Sequence, residues 1–339
     1  MRAEAATYRS AVSDLEAAKR HLDGAGKAIR ARCVRLIGAA LGQTRENSEF
    51  RALESAIESL HLGTLIHDDV LDESPLRRGR SAVHVAFGTK VALLAGDVLV
   101  SRAGILIASL GSPYLSRRFA EVLGDLCEGE LLQDDQRWRF DLKVDEYLLR
   151  IDKKTSGLFE LACEGAAILS AATDRHVDPL PGGPTAATRS LGRHLGRLFQ
   201  MTDDLGDEAG GFLPGKPAHQ DAAAGHLSLL TVCALADPDV GPPYRALLEA
   251  GAAPSDFDAK RLRDRPEVSE RVRQVLTAEY GDCLMALEQL PGGRDREDLS
   301  KLALELLARS LQAAAITAPP QRLRRKGPTD RPPGVPIGQ

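Results

Sequence analysis

Residues 61–72 read HLGTLIHDDVLD, an apolar segment that runs directly into three aspartates. Upstream of it, Ile57 and Leu60 continue the apolar positions at the spacing of a helix that is buried on one face. Asp68 and Asp72 are four residues apart, so on such a helix they lie on one side, one turn from each other. The segment therefore predicts an amphipathic helix that ends in an acidic face.

A second segment further along the chain repeats the pattern, since residues 199–207 read FQMTDDLGD. Like charges one turn apart repel by about 3 kcal/mol at ~5 Å and an effective dielectric of ~20, so their burial requires a cation. Carboxylate oxygens, water and phosphate are the ligands that Mg²⁺ prefers. One copy alone would be typical of a solvated helix end, whereas two copies favour a joint site. We predict that the two helices face each other and that their carboxylates surround a magnesium–phosphate cluster.

Basic residues accompany both acidic motifs. They are Arg77 and Arg78 after the first motif, Lys216 after the second, Lys153 and Lys154 between them, and Lys27 and Arg30 near the start. Arginine and lysine side chains both bind phosphate oxygens. Any one of these pairs alone would more often lie on a solvated surface. Their positions beside both motifs favour phosphate binding.

The composition favours helices and excludes several classes of function. Aromatic residues make up only 4% of the 339 residues, whereas strands are rich in aromatic and β-branched side chains. The net charge of −4 provides no overall basic field for nucleic acid. The five cysteines are odd in number and form no CxxC pair, which is typical of a reduced protein. We therefore expect a cytoplasmic protein that binds no nucleic acid.

No segment of the sequence is predicted to cross a membrane. The N-terminus carries charges where a signal peptide needs an apolar core. The most apolar stretch, residues 91–100, is interrupted by Asp97 and is too short to span a bilayer. We expect one all-α domain over residues 1–318, followed by a disordered tail rich in proline and arginine over residues 319–339. A membrane-surface role for the basic cluster of that tail is a weaker alternative.

These residues together resemble a known family, the trans-isoprenyl diphosphate synthases or polyprenyl synthetases. Residues 61–97 and 199–221 are similar to its two signature regions, and residues 128–133 (EGELLQ) and Lys154-Thr155 also match. The resemblance covers most of the chain. It implies an all-α isoprenoid synthase-type bundle with a central cavity. It also implies a prenyltransferase that joins isopentenyl diphosphate head to tail to an allylic diphosphate.

The resemblance also implies roles for individual residues. The catalytic residues would be Asp68, Asp69, Asp72, Lys154, Asp203 and Asp204. A cluster of three Mg²⁺ ions would take its ligands from Asp68, Asp72, Asp203 and Asp207. The allylic diphosphate would be held by Arg77, Lys154, Thr155, Gln200, Lys216 and His226, and isopentenyl diphosphate by Lys27, Arg30, His61 and Arg78. The family is typically homodimeric, which implies a second copy of this chain as a partner.

The sequence departs from the family pattern at four positions. His226 stands where a lysine commonly holds the allylic diphosphate, and Ser228 replaces a usual threonine. Ala28 replaces a common cation, and Gly206 replaces a bulkier apolar residue at a cost to the helix of about 1 kcal/mol relative to alanine. We expect these changes to weaken allylic substrate binding, or to make it sensitive to pH through His226, and to leave the metal site in place.

The growing prenyl tail is expected to run beside the helix that ends at Asp68. One helical turn is ~5.4 Å, or about one isoprene unit. The turns before Asp68 carry no phenylalanine or tyrosine, because the wall residues are Gly63, Thr64, Leu60, Ala56 and Ile57. The open path predicts a C20 or longer product, and the substitution Gly63→Tyr is expected to shorten it.

Two other functions on this scaffold stay open at this point. A terpene cyclase would ionise the allylic diphosphate without an isopentenyl partner, and the retained Lys27, Arg30, His61 and Arg78 argue against it. A regulatory subunit would pair with a catalytic homologue, but such subunits usually have degraded acidic motifs, and both are intact here. A head-to-head coupling enzyme fits the arginine pair after the first motif less well.

Overall fold

The computed structural model describes residues 28–44, 47–77, 79–171, 178–179, 182–208, 221, 224–250 and 261–315. These residues are almost entirely helical, which confirms the predicted all-α class. The helices are α1 Ile29–Ala40, α2 Ser48–Leu71, α3 Val83–Phe87, α4 Thr89–Ser109, α5 Pro113–Asp135, α6 Val144–Ile151, α7 Gly157–Ser170, α8 Gly183–Glu208, α9 Leu229–Leu235, α10 Gly241–Glu249, α11 Pro266–Glu288 and α12 Arg294–Ala313. The predicted tail and domain boundary lie outside the described residues and stay predictions.

Two short connections interrupt this helical order. A hairpin links α2 to α3, with strand β1 (Leu76–Arg77) antiparallel to strand β2 (Arg80–Ser81) and Leu76 opposite Ser81. A single turn of π-helix, Asp152–Ser156, links α6 to α7 so that the chain stays helical throughout, and we call this segment the π-turn. Both connections lie next to residues that the sequence assigned to the functional site.

Helix α7 is the centre of the fold. Its residues Gly157 to Leu169 are all buried, as expected for the sequence GLFELACEGAAIL, which is apolar on almost every side. It packs against α1, α2 and α8. At Gly192 of α8, an added Cβ would lie 2.6 Å from the carbonyl oxygen of Phe159, so only glycine allows α8 to approach α7 so closely. The main hydrophobic core surrounds this central helix.

Helices α2 and α4 also approach each other through glycines. A Cβ at Gly63 would lie 3.0 Å from the carbonyl oxygen of Gly96, and a Cβ at Gly96 would lie 2.2 Å from Nε2 of His67. That nitrogen lies 3.1 Å from the carbonyl oxygen of Leu93. Position 63 therefore packs against α4, and its place on the wall of the prenyl path stays a prediction. A side chain larger than glycine there would have to displace atoms of α4.

Helix α4 is long and apolar. It extends to Ser109, well beyond the stretch identified in the sequence, and its mean hydropathy is 1.9 over a window of which a third is buried. Its length and composition would therefore allow it to cross a membrane, which the shorter stretch could not. The side chains of Leu94, Val98 and Ile105 are exposed along this helix. Among the described residues, these side chains form an exposed apolar face on α4.

A buried charge network joins α5, α7 and α8. Glu164 of α7 is fully buried and accepts a hydrogen bond from Nε of Arg118 on α5 at 2.7 Å. Glu160, one turn earlier, is also buried and accepts from Arg189 and Arg193 of α8. Burial raises the pKa of Glu164, and the guanidinium of Arg118 opposes that shift. The two buried carboxylates depend on these arginines for their charge balance.

Candidate active site

Both acidic motifs lie at the C-terminal ends of their helices. Helix α2 ends at Leu71, and the backbone N–H of Asp72 donates to the carbonyl oxygen of Asp68 at 2.8 Å. Helix α8 runs through Asp203 and ends at Glu208. The four-residue spacing in each motif is therefore one turn of helix, as the sequence predicted.

Asp68 is a half-buried carboxyl group that lies near several other charged groups. Burial raises its pKa to about 7, with Lys154 opposing the shift and Glu130 and Asp72 adding to it. A carboxylate in such a position is costly to ionise alone and is stabilised by an added cation. Asp68 therefore has the environment expected of a metal ligand.

Asp69 has a different environment from its neighbour. It is fully buried, and Arg77 of the hairpin donates to its Oδ1 from both Nε, at 2.7 Å, and Nη2. This pair attaches the hairpin to the end of α2. The structure thus shows that Oδ1 of Asp69 fixes the hairpin, while the catalytic role of Asp69 and the contact of Arg77 with diphosphate stay predictions.

The second motif shows the same division between its aspartates. Asp203 is exposed, whereas Asp204 is buried and accepts hydrogen bonds from the hydroxyl of Tyr147 and from Nε2 of Gln200, each at 2.7 Å. Asp207 is also buried, and its Oδ2 accepts from the backbone N–H of Asp221 at 3.1 Å. Asp204 thus holds α8 to α6 through Tyr147, and its catalytic role stays a prediction.

The π-turn connects the two motifs. Nζ of Lys154 pairs with Glu130 of α5 at 2.7 Å, and its charge acts on Asp68 of the first motif. The next residue, Thr155, donates from Oγ1 to Oε1 of Gln200 at 2.7 Å, and Gln200 in turn donates to Asp204 of the second motif. Two consecutive residues therefore link both acidic motifs, which places the motifs at one site.

The π-turn is also fixed on its outer side. Arg197 of α8 donates to both carboxylate oxygens of Asp152, at 2.7 and 2.6 Å, and also to Glu279 of α11 at 2.9 Å. Lys153 pairs with Asp125 and Glu128 of α5, and neither of these carboxylates is the partner of Lys154. Of the two adjacent lysines, Lys154 is the one whose charge acts on the acidic site.

His226 lies close to Lys154 in the described part of the chain. Burial, together with the charges of Lys154, Arg150 and Arg137, lowers the pKa of His226 to about 4, while Asp72 opposes this shift. The imidazole is therefore neutral at pH 7. Its position near Lys154 and Asp72 is compatible with the expected place beside the allylic diphosphate, but it provides no charge there.

The residues predicted to bind isopentenyl diphosphate are only partly described. Arg30, near the start of α1, is buried, with its guanidinium carbon 4.5 Å from the ring centre of Phe159 and 5.4 Å from that of Phe199. This stacking places Arg30 in the core beside the second motif. His61 is half-buried on α2. The remaining predicted cations, Lys27, Arg78 and Lys216, lie outside the described residues.

Sequence reasoning missed several residues that build the site. Glu130 belongs to the EGELLQ stretch, so its closeness to Lys154 could have been suspected, whereas Tyr147 has no motif around it. Glu208 is buried and accepts from Ser228 and Thr231, and burial raises its pKa to about 7. Its place directly after the second motif was visible in the sequence, but its burial was not.

Comparisons with known proteins agree with this geometry. Residues 14–256 match the family model described as polyprenyl synthetase. The chain is 33% identical to the chloroplastic solanesyl diphosphate synthase 1 of Arabidopsis thaliana, over 87% of this chain and 72% of that protein. It is 34% identical to heptaprenyl diphosphate synthase component 2 of Geobacillus stearothermophilus, over 85% and 88% respectively. The structure of a polyprenyl synthase from Caulobacter crescentus CB15, complexed with calcium and isoprenyl diphosphate, superposes with a TM-score of 0.73 at 28% identity over 91% of this chain and 95% of that one.

Proposed function

The chain belongs to the polyprenyl synthetase family, and from that premise we propose that it elongates an allylic diphosphate with isopentenyl diphosphate at the site between its two aspartate motifs. It is a prenyltransferase, an all-trans polyprenyl diphosphate synthase with a long product. The observation that carries the proposed site is the Lys154-Thr155 pair. The charge of Lys154 acts on Asp68 of the first motif, and Thr155 is hydrogen-bonded through Gln200 to Asp204 of the second. The cytoplasmic location stays a prediction.

The residues at the site fit magnesium. Oδ1 of Asp69 accepts from Arg77, and the two carboxylate oxygens of Asp204 accept from Tyr147 and Gln200. We therefore assign the metal to the first and last aspartates of the two motifs, Asp68, Asp72, Asp203 and Asp207. The raised pKa of Asp68 supports this assignment, because a buried carboxyl among other carboxylates is stabilised by a cation. When bound, Mg²⁺, for which we propose three ions, supplies positive charge to the departing diphosphate.

The side chains of the protein perform the remaining tasks. Lys154 provides an ammonium group that stabilises negative charge on the diphosphate as the allylic C–O bond breaks. Thr155 and Gln200 fix the second motif relative to Lys154. The apolar helices exclude water from the resulting allylic cation, so the double bond of isopentenyl diphosphate attacks it before hydrolysis occurs. The isopentenyl unit then loses a proton from the carbon next to the new cation, the electrons of that C–H bond form the new double bond, and we assign the released diphosphate as the base.

Incubation of the purified chain with Mg²⁺, labelled isopentenyl diphosphate and C5, C10, C15 or C20 primers tests this function. The expected result is a series of elongated alcohols after dephosphorylation and chromatography. Absence of elongation with every primer would contradict the proposal. A cyclic hydrocarbon formed from the primer alone would support a cyclase. Elongation that appears only after a second subunit is added would support the regulatory alternative.

Product length provides a prediction at Thr64, one turn before Asp68. Thr64 is only half-buried, and its hydroxyl donates to the carbonyl oxygen of His61 within the same helix. We expect Thr64→Tyr to shorten the main product by one or more isoprene units and Gly63→Ala to leave it unchanged. Chromatography of the products measures this, and an unchanged length in Thr64→Tyr would contradict the path along α2.

His226 provides a prediction about substrate affinity. Because its pKa lies at about 4, the free site lacks the positive charge that a lysine would carry there. We expect His226→Lys to lower the KM for the allylic diphosphate by about tenfold, which corresponds to ~1.4 kcal/mol. The KM for isopentenyl diphosphate is the internal control and should not change. Equal shifts of both KM values would show that position 226 does not act on the allylic group.

We further propose that the active form is a homodimer joined through the exposed faces of α4 and α5. Leu94, Val98 and Ile105 form an apolar face on α4, and Leu131, which is 71% exposed, lies on the adjacent α5. An exposed apolar face of this kind favours a protein partner. A second copy of this chain is the partner that we assign. Sedimentation velocity of the full chain should give a species of twice the chain mass, and a monomer at assay concentration would contradict the proposal.

A further inference from the structure

A glycine on each of two helices allows the π-turn to pack without space for side chains. A Cβ at Gly129 of α5 would lie 2.6 Å from the backbone nitrogen of Lys154 and 2.9 Å from its Cα. A Cβ at Gly196 of α8 would lie 2.6 Å from the Cα of Ser156. These neighbours are backbone atoms, which cannot rotate away as the end of a flexible side chain can. Any side chain at position 129 must therefore displace the turn that carries Lys154.

Helix α5 also contacts the side chain of Lys154. Glu130, the residue after Gly129, pairs with Nζ of Lys154 at 2.7 Å. Successive residues of α5 thus fix the backbone and the ammonium group of the same lysine. The turn itself is wide, because the N–H of Gly157 donates to the carbonyl oxygen of Asp152 five residues earlier. Such π-turns are rare in proteins and are frequent at functional sites.

We propose that the Gly129-Glu130 dipeptide positions Lys154 for its action on the diphosphate, Gly129 by setting the backbone and Glu130 by orienting the ammonium group. The inference rests on the proposed function, because the role of Lys154 is taken from there. Both residues act through Lys154, and neither is assigned a contact with substrate. A displacement of about 1 Å at a catalytic group can lower a rate about a hundredfold, so a single added methyl group is a sufficient probe.

A double-mutant cycle tests the role of Gly129. We expect Gly129→Ala to lower kcat/KM for the allylic primer by about tenfold to a hundredfold, and to cause little further loss when Lys154 is already alanine. Gly281→Ala on α11 is the matched control, because a Cβ at this helical glycine has no neighbour within 4 Å. It should leave kcat/KM unchanged. Thermal unfolding of every variant, followed by circular dichroism, shows which of them are folded.

The outcomes separate this inference from the proposed function. If Lys154→Ala keeps full activity, the proposed role of Lys154 is wrong. If Lys154→Ala loses activity while Gly129→Ala stays within threefold of the unaltered protein, or if the two losses multiply fully, the positioning role is wrong.

A second variant keeps the inference testable if Gly129→Ala does not fold. We expect Glu130→Gln to lower both kcat and KM, because Glu130 no longer competes with the diphosphate for the ammonium group and no longer orients it. Unchanged values of both constants would overturn the proposal.

Discussion

Replacement of Asp68 by alanine is expected to lower kcat/KM for condensation by about a thousandfold or more, which corresponds to at least ~4 kcal/mol of transition-state stabilisation. The reason is that Asp68 combines burial with the charges of Asp72, Glu130 and Lys154. Asp203→Ala should cause a loss of similar size, since it removes a ligand from the opposite motif. Steady-state kinetics at saturating Mg²⁺ measure both effects.

Asp134→Ala is the control for this prediction. Asp134 belongs to another aspartate pair, at the end of α5, where the sequence continues to Trp138 and forms no third aspartate. It is exposed, and we expect its removal to leave kcat/KM within a factor of two. A loss below tenfold in Asp68→Ala would contradict the assignment of Asp68 to the metal.

The raised pKa of Asp68 adds a dependence on pH. Because the pKa lies at about 7, this carboxyl is protonated below that value and must lose its proton before it binds a cation. The apparent affinity for Mg²⁺ should therefore rise with pH up to about 7 and then level off. In Asp68→Ala this rise should be absent. A titration of activity with Mg²⁺ at several pH values measures both cases.

Replacement of Arg118 by alanine is expected to lower the free energy of unfolding by about 3–5 kcal/mol, more than any other substitution proposed above. Arg118 is buried with Glu164 and lies 3.6 Å from Glu160, so its removal leaves buried negative charge with less compensation. The free energy of unfolding, from urea titration followed by circular dichroism, measures the loss.

Arg117→Ala provides the matched control for the charge network. This neighbouring arginine is about half-exposed and pairs with exposed Asp178, an arrangement that contributes only about 0–1 kcal/mol. In the Arg118→Ala background, Glu164→Gln should recover part of the lost stability, because it removes the uncompensated charge. Equal losses in Arg117→Ala and Arg118→Ala would show that the buried network is not the cause.

The placement of both acidic motifs at helix ends could be predicted from the sequence because it depends on local spacing. The distance of four residues fixes one turn of helix wherever the helix lies in the fold. The family resemblance already separated Asp68 and Asp203, as metal ligands, from Asp69 and Asp204, but the sequence could not show which side chains contact Asp69 and Asp204. Those contacts depend on Arg77 in the hairpin and on Tyr147 in α6, which are brought close only by the folded chain.

The orientation of Gly63 could not be predicted for the same reason. The sequence shows on which side of α2 Gly63 lies relative to Asp68. It does not show that α4 is the helix that packs against that side. The π-turn is another feature without a local signal, because Asp152–Ser156 contains neither proline nor glycine. Its form follows from contacts with Gly129 and Gly196, which are distant in sequence.

The complete burial of α7 has a consequence for how the enzyme accommodates its substrates. No side of this helix faces solvent, so its amides should open to hydrogen exchange only when the whole protein unfolds. Lys154 and Thr155 are attached to that least mobile segment, whereas Asp72 and Asp203 are exposed near helix ends, where opening requires less energy. One wall of the catalytic centre is therefore rigid, and the other can adjust as each new isoprene unit arrives.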